Sequence, residues 1–85
     1  MKYRQQALKQ ISKLPQDQLP RIVRRIEALQ KEPYLRGCKK LSCGKGMFRV
    51  RSGNYRILYQ VYSDEMTVTI LLVSDRKEAY RNISD

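Results

Sequence analysis

The sequence has no histidine and only two cysteines, Cys38 and Cys43. A single C-x4-C pair with no histidine lacks the four ligands a zinc site draws from one chain, so no metal is expected and both thiols are expected to be free. A disulfide would need an oxidising compartment, of which the sequence carries no sign. The missing imidazole also removes the one side chain whose ordinary pKa lies near neutrality. No run of about 18 apolar residues exists, and the N-terminus lacks the charged-then-apolar pattern of a secretory signal. A soluble, cytoplasmic protein with no membrane partner is expected. Acid is scarce as well: 8 Asp plus Glu face 18 Lys plus Arg, a formal net charge of +10.

The excess of positive charge is unevenly placed. Between Glu32 and Asp64 there is no acidic residue, yet the same stretch holds Arg36, Lys39, Lys40, Lys45, Arg49, Arg51 and Arg56. A solubilising surface mixes signs, whereas a field of one sign attracts polyanions. Nucleic acid or an acidic protein is the partner such a field implies. With 85 residues there is room for one thin core, so a single domain spanning 1–85 is expected, with its functional groups on the surface.

The first third has a helical period. Ala7, Leu8 and Ile11 share a stripe, the chain breaks at Leu14-Pro15, and Leu19, Ile22, Val23, Ile26 and Leu29 then recur at amphipathic spacing. Pro33 ends the second helix, because the residue before a proline is pushed out of the helical region. Residues 34–46, with Gly37, Gly44 and Gly46 among lysines, read as a basic loop. From Met47 the period becomes two, which predicts strands around Phe48–Arg51, Tyr55–Val61 and Val68–Val73. The expected fold class is α+β: an N-terminal helical hairpin on a small antiparallel three-stranded meander, with room for at most a short extra strand at the N-terminus.

Register carries the argument toward function. A two-residue turn at Gly53-Asn54 sets Phe48 opposite Tyr59, Val50 opposite Ile57, Arg49 opposite Leu58 and Arg51 opposite Arg56. The large apolar residues then share the face covered by the helices, and the other face carries Arg49, Arg51 and Arg56. Like charges directly opposite one another are destabilising, so the Arg51–Arg56 pair makes most sense with an anion between them. Simple alternation puts Leu58, Leu71 and Val73 on the arginine face too. That apolar strip, in a chain ending at Asp85, is expected to be the contact of an acidic, amphipathic protein segment.

The run Arg49-Val50-Arg51-Ser52-Gly53-Asn54-Tyr55-Arg56, followed by Ile57-Leu58-Tyr59, resembles the hairpin signature of the RelE/ParE toxin superfamily. Val73 to Arg81 resembles its C-terminal Arg-x-x-x-Tyr segment, here Arg76 and Tyr80. The RelE branch implies a ribosome-dependent endoribonuclease that cuts mRNA in the A site, needs no cofactor and is held inactive by an antitoxin. The ParE branch implies inhibition of DNA gyrase without nuclease chemistry. Basic residues on the hairpin, together with an arginine and a tyrosine after the last strand, favour the RelE branch. A non-catalytic basic RNA-binding module is the remaining alternative.

The resemblance implies a catalytic set of Arg49, Arg51, Arg56, Arg76 and Tyr80; Lys39, Lys40, Lys45 and Arg81 are the expected RNA contacts. Leu58, Leu71 and Val73 are the expected antitoxin contacts, the toxin alone a monomer, and its complex with the acidic antitoxin a hetero-oligomer. The sequence departs from the family at three points. Only Met1-Lys2-Tyr3 precedes the first helix, Met47 and Arg49 stand where some relatives have two lysines, and Asp75 stands where many have histidine.

Overall fold

Pairing of short segments distant in the chain sets the architecture, a computed structural model that describes residues 2–35, 37–41, 45–62 and 67–75. Strand β1 (Lys2–Tyr3) leads into helices α1 (Gln5–Ser12) and α2 (Leu19–Lys31). Strands β2 (Lys39–Lys40), β3 (Met47–Ser52), β4 (Tyr55–Tyr62) and β5 (Thr67–Ser74) follow. Among the described residues these strands form one sheet in the order β1-β5-β4-β3-β2. β1 runs parallel to β5, and the other neighbours are antiparallel. The expected meander is its centre. The two additions are two-residue edge strands, one from the N-terminus and one, Lys39–Lys40, inside the segment expected to be a loop.

The helices follow their apolar period with one shift. Ala7 is buried, and Ile11 and Leu14 pack partly against the core, whereas Leu8 is 52% exposed. Ala7 and Ile11 are four residues apart and share a face, while Leu8 lies about 100° round the helix, so the predicted stripe is narrower than expected. Backbone bonds from Lys13 to Gln10 and from Leu14 to Ile11 tighten the end of α1 before Pro15. In α2, Ile22, Ile26 and Leu29 are buried, and Leu19 and Val23 form the rim. Pro20 occupies the first turn, where a missing N–H costs nothing. The helix stops at Glu32, whose extended backbone precedes Pro33 and whose N–H donates to the Ala28 carbonyl.

The helix-side core joins Ala7, Ile22, Ile26 and Leu29 to Val50, Ile57, Tyr59, Val68, Ile70 and Val73. Two side chains fasten this layer to the sheet: Arg25 Nε–H donates to the Arg51 carbonyl at 3.0 Å, and the Val73 N–H donates to Gln10 Oε1 at 2.8 Å. Buried Tyr59 donates its hydroxyl to the Pro33 carbonyl at 2.8 Å. Burial, and then the neighbouring Cys38 thiol, pushes the Tyr59 pKa far above the usual tyrosine range. Cys38 is a free thiol, and Cys43 lies outside the described residues.

A second apolar cluster occupies the opposite face of the sheet, where Met47, Leu58, Leu71 and Leu72 are all buried and Leu41 packs against them. It exists because β5 carries an irregularity. Leu58 pairs with Leu72 but Tyr59 pairs with Ile70, which leaves Leu71 as an extra residue. Such a bulge reverses the alternation of everything beyond it.

Candidate nucleic-acid interface

The β3–β4 hairpin has the expected register throughout, from Met47 opposite Gln60 to Ser52 opposite Tyr55. Gly53 supplies the positive φ, 61°, that the tight connection needs. Arg51 and Arg56 therefore stand directly opposite each other, and with Gly53, Asn54 and Asp75 they line a cleft of about 470 Å³. Arg51 is exposed and Arg56 half-buried. The Arg56 Nε is itself buried, with no hydrogen-bond partner. A buried donor left unpaired costs about 1–3 kcal/mol, and here it belongs to a cation facing a second cation. Both penalties would be relieved by one ligand, an anion placed between the two guanidinium groups, each of which presents five fixed donors.

Arg49 belongs to the next outward row, opposite Leu58 on β4 and Lys39 on β2. Directly opposed residues share a face, so Lys39 extends the arginine face to the sheet edge. Lys40, its neighbour, does not. It is opposite Phe48 and lies on the helix side, so two of the lysines expected as RNA contacts are divided between two faces. Lys45 is exposed at the turn before β3, where its carbonyl accepts from Gln60 Nε2 at 3.0 Å. Arg76, Tyr80 and Arg81 lie outside the described residues.

The expected apolar strip is corrected. Val73 pairs with Ile57 and belongs to the helix-side core, while Leu58 and Leu71 keep to the arginine side but are buried within the chain. The bulge at Leu71 is the physical reason: it turns Val73 inward, turns Leu72 outward, and gathers Leu58, Leu71 and Leu72 into one packed cluster. Leu58, Leu71 and Val73 therefore form no exposed strip in the chain on its own. The same re-phasing sets Ser74 opposite Arg56, and Asp75, just past the end of β5, lines the cleft. Sequence reasoning noticed Asp75 only as a departure from relatives. Continuing the alternation of Leu71 and Val73 by one step points to Asp75 on the arginine side, so that signal was present in the sequence.

Among the described residues, a helical pair on one side of a five-stranded sheet, with the arginines of its β3–β4 hairpin on the other, defines a small basic α+β protein. The chain belongs to the family described as ParE toxin of type II toxin-antitoxin system, parDE, whose model matches residues 1–80. A curated protein of Methanocaldococcus jannaschii assigned as toxin RelE1 is 32% identical over 78 residues, covering 88% of this chain and 87% of its own. Among solved structures, the archaeal RelE-RelB complex from Pyrococcus horikoshii is similar with a TM-score of 0.78 and 30% identity, over 92% of this chain and 94% of that one. The toxin-antitoxin complex RelBE2 from Mycobacterium tuberculosis is 34% identical with a TM-score of 0.73, over 88% of this chain and 94% of that one. The fold and type are therefore those of a RelE-like toxin of a toxin-antitoxin system.

Proposed function

We propose that this toxin is an endoribonuclease that cuts messenger RNA in the ribosomal A site, and that a cognate acidic antitoxin restrains it. The observation carrying this reading is the Arg51–Arg56 cleft, with its buried, unpartnered guanidinium nitrogen. RNA brings its own nucleophile. The ribose 2′-hydroxyl attacks the adjacent phosphorus in line, and charge builds on the phosphoryl oxygens and on the leaving 5′-oxygen. Arg51 and Arg56 hold the scissile phosphate and stabilise that charge. Arg49, or Lys45 from the turn, lowers the pKa of the 2′-hydroxyl. Arg76 acts near the leaving oxygen, and Tyr80 stacks on a base or orients the hydroxyl.

The antitoxin reading draws on the relatives solved as RelE-RelB and RelBE2 complexes and on the net charge of +10. An acidic chain laid over the arginine hairpin would occupy the phosphate site, and association would be faster at low salt. Primer extension on a translated message, after induction of the toxin, should show new 5′ ends inside the open reading frame that vanish when translation is blocked. The family description, ParE toxin, favours one second reading, a gyrase inhibitor. Accumulation of gyrase–DNA complexes with messages intact would establish it and overturn the nuclease.

A further inference from the structure

The division of Lys39 from Lys40 leaves a basic, aromatic corner on the helix side that the cleft does not use. Tyr34 is the most exposed large apolar residue among those described, at 56%. Its ring is nevertheless held: it packs edge-on against Phe48, with centroids 5.2 Å apart and planes at 69°. Phe48 in turn stacks on Tyr59 at 5.8 Å and 21°, and the Tyr59 hydroxyl grips the carbonyl of Pro33, the residue before Tyr34. An exposed ring braced this way has already lost its conformational freedom, so little is left to lose on binding. Lys40 flanks the same platform, because it stands directly opposite Phe48. Lys31 ends α2 three residues before Tyr34 and is exposed. Two acids lie near Lys31: Glu32 next to it in the chain, and Glu27 one turn earlier on α2, lining the same surface hollow.

We propose that Tyr34 and Lys40 form a second contact for single-stranded RNA, on the face of the sheet away from the cleft. One unstacked base lies on the Tyr34 ring, and Lys40, with Lys31, takes the flanking phosphates. An aromatic face interleaved with lysines is the combination that holds single strands without reading their sequence. Lys40, on the strand opposite Phe48, favours an anionic backbone, and the flat exposed ring favours one that carries bases. The proposal rests on the reading of RNA as the target, but it uses none of the cleft residues.

The sequence contains no tryptophan, so Tyr34→Trp introduces a single indole reporter. It is titrated with a mixed-sequence, single-stranded oligoribonucleotide, in the otherwise native chain and in an Arg56→Ala background. Stacking should quench the indole in both backgrounds, and the quenching should weaken with salt and with Lys40→Glu. Tyr34→Ala should lower affinity for the same oligonucleotide about tenfold or more, and Tyr34→Phe should keep most of what Tyr34→Ala loses. Circular dichroism establishes that each variant is folded, and the phenylalanine and alanine pair carries the test if the tryptophan variant does not fold. Unchanged emission at RNA concentrations that saturate binding overturns the proposal. So does quenching that disappears with Arg56→Ala, or a response to an acidic antitoxin peptide but not to RNA. Wild-type cleavage of a translated message is scored separately. Its absence would overturn the nuclease reading while RNA quenching of the indole left this contact standing.

Discussion

If the Arg51–Arg56 pair is kept for an anion and not for the fold, removing one of its charges should make the free protein more stable and less active. Arg56→Met is the informative change, since methionine retains most of the aliphatic stem and none of the donors. Two costs disappear with the guanidinium. The like-charge pair across the hairpin is worth about 0.2–1 kcal/mol, and the buried, unpaired Nε about 1–3 kcal/mol. Part of the gain is lost because methionine fills the half-buried site less completely, which leaves a net stabilisation of about 1–2 kcal/mol at low salt. For a domain of this size that raises Tm by about 5–12 °C. Phosphate provides the counter-experiment. At constant ionic strength, an anion at ten times its Kd stabilises the native state by about 1.4 kcal/mol, and only the chain that still holds both arginines should respond. Message cleavage should fall by about 10²–10³, the loss typical of one transition-state donor. Urea and thermal unfolding of the two proteins, with and without phosphate, supply the stabilities. A variant less stable than wild type by more than about 1 kcal/mol would show that Arg56 is a structural residue and would refute the argument from the unpaired nitrogen.

Gly46→Ala should cost about 2–4 kcal/mol in urea unfolding, because a Cβ there meets the Val61 carbonyl oxygen at 2.6 Å as well as adopting a positive φ of 68°. Gly37→Ala, with φ +93° and nothing within 4 Å, should cost only about 1 kcal/mol. Tyr59→Phe removes the bond to the Pro33 carbonyl and should cost about 1–2 kcal/mol near neutrality. Because its folded pKa is raised, Tyr59 contributes stability that is complete below the unfolded pKa of about 10 and is lost as pH climbs above it; Tyr59→Phe should therefore flatten the alkaline decline. Asp75→Asn removes the carboxylate lining the arginine cleft, so it should tighten RNA binding at low salt if Asp75 competes with phosphate, and leave binding intact but lower the cleavage rate with an altered pH profile if Asp75 carries the proton. A change in neither binding nor rate would place Asp75 outside the site.

What was legible in the sequence was whatever local chemistry decides. Pro15 separates the two helices and Pro33 ends the second, the spacing of Ile22, Ile26 and Leu29 marks the buried stripe, and Gly53-Asn54 sets the hairpin register on which the arginine face depends. The edge strands were less accessible. Lys2–Tyr3 and Lys39–Lys40 are two residues each, too short to show a period, and each is a strand only because a longer partner, β5 or β3, offers it a ladder. Leu8 shows how the same reasoning errs in detail: a leucine beside an alanine suggests a wide stripe, but α1 presents little more than Ala7 and Ile11 to the sheet.

The site was half legible for a related reason. Along β3 and most of β4, polar and apolar residues alternate, so each side chain's face can be assigned. Along Ile70-Leu71-Leu72-Val73 every residue is apolar, and a run without contrast contains no phase information. That uniform stretch is where the bulge occurs, and the uniformity permits it. Both faces of the sheet at this point are apolar cores, the helix side and the Met47–Leu58–Leu72 side, so the strand can shift by one residue without exposing a leucine or burying a charge. A bulge among alternating residues would have to do one or the other. The shift then propagates to the end of the strand, where contrast returns. Ser74, not Val73, faces Arg56. The strand's uniform middle thus decides what its polar end sets against the arginines: a serine hydroxyl where simple alternation would have put a valine.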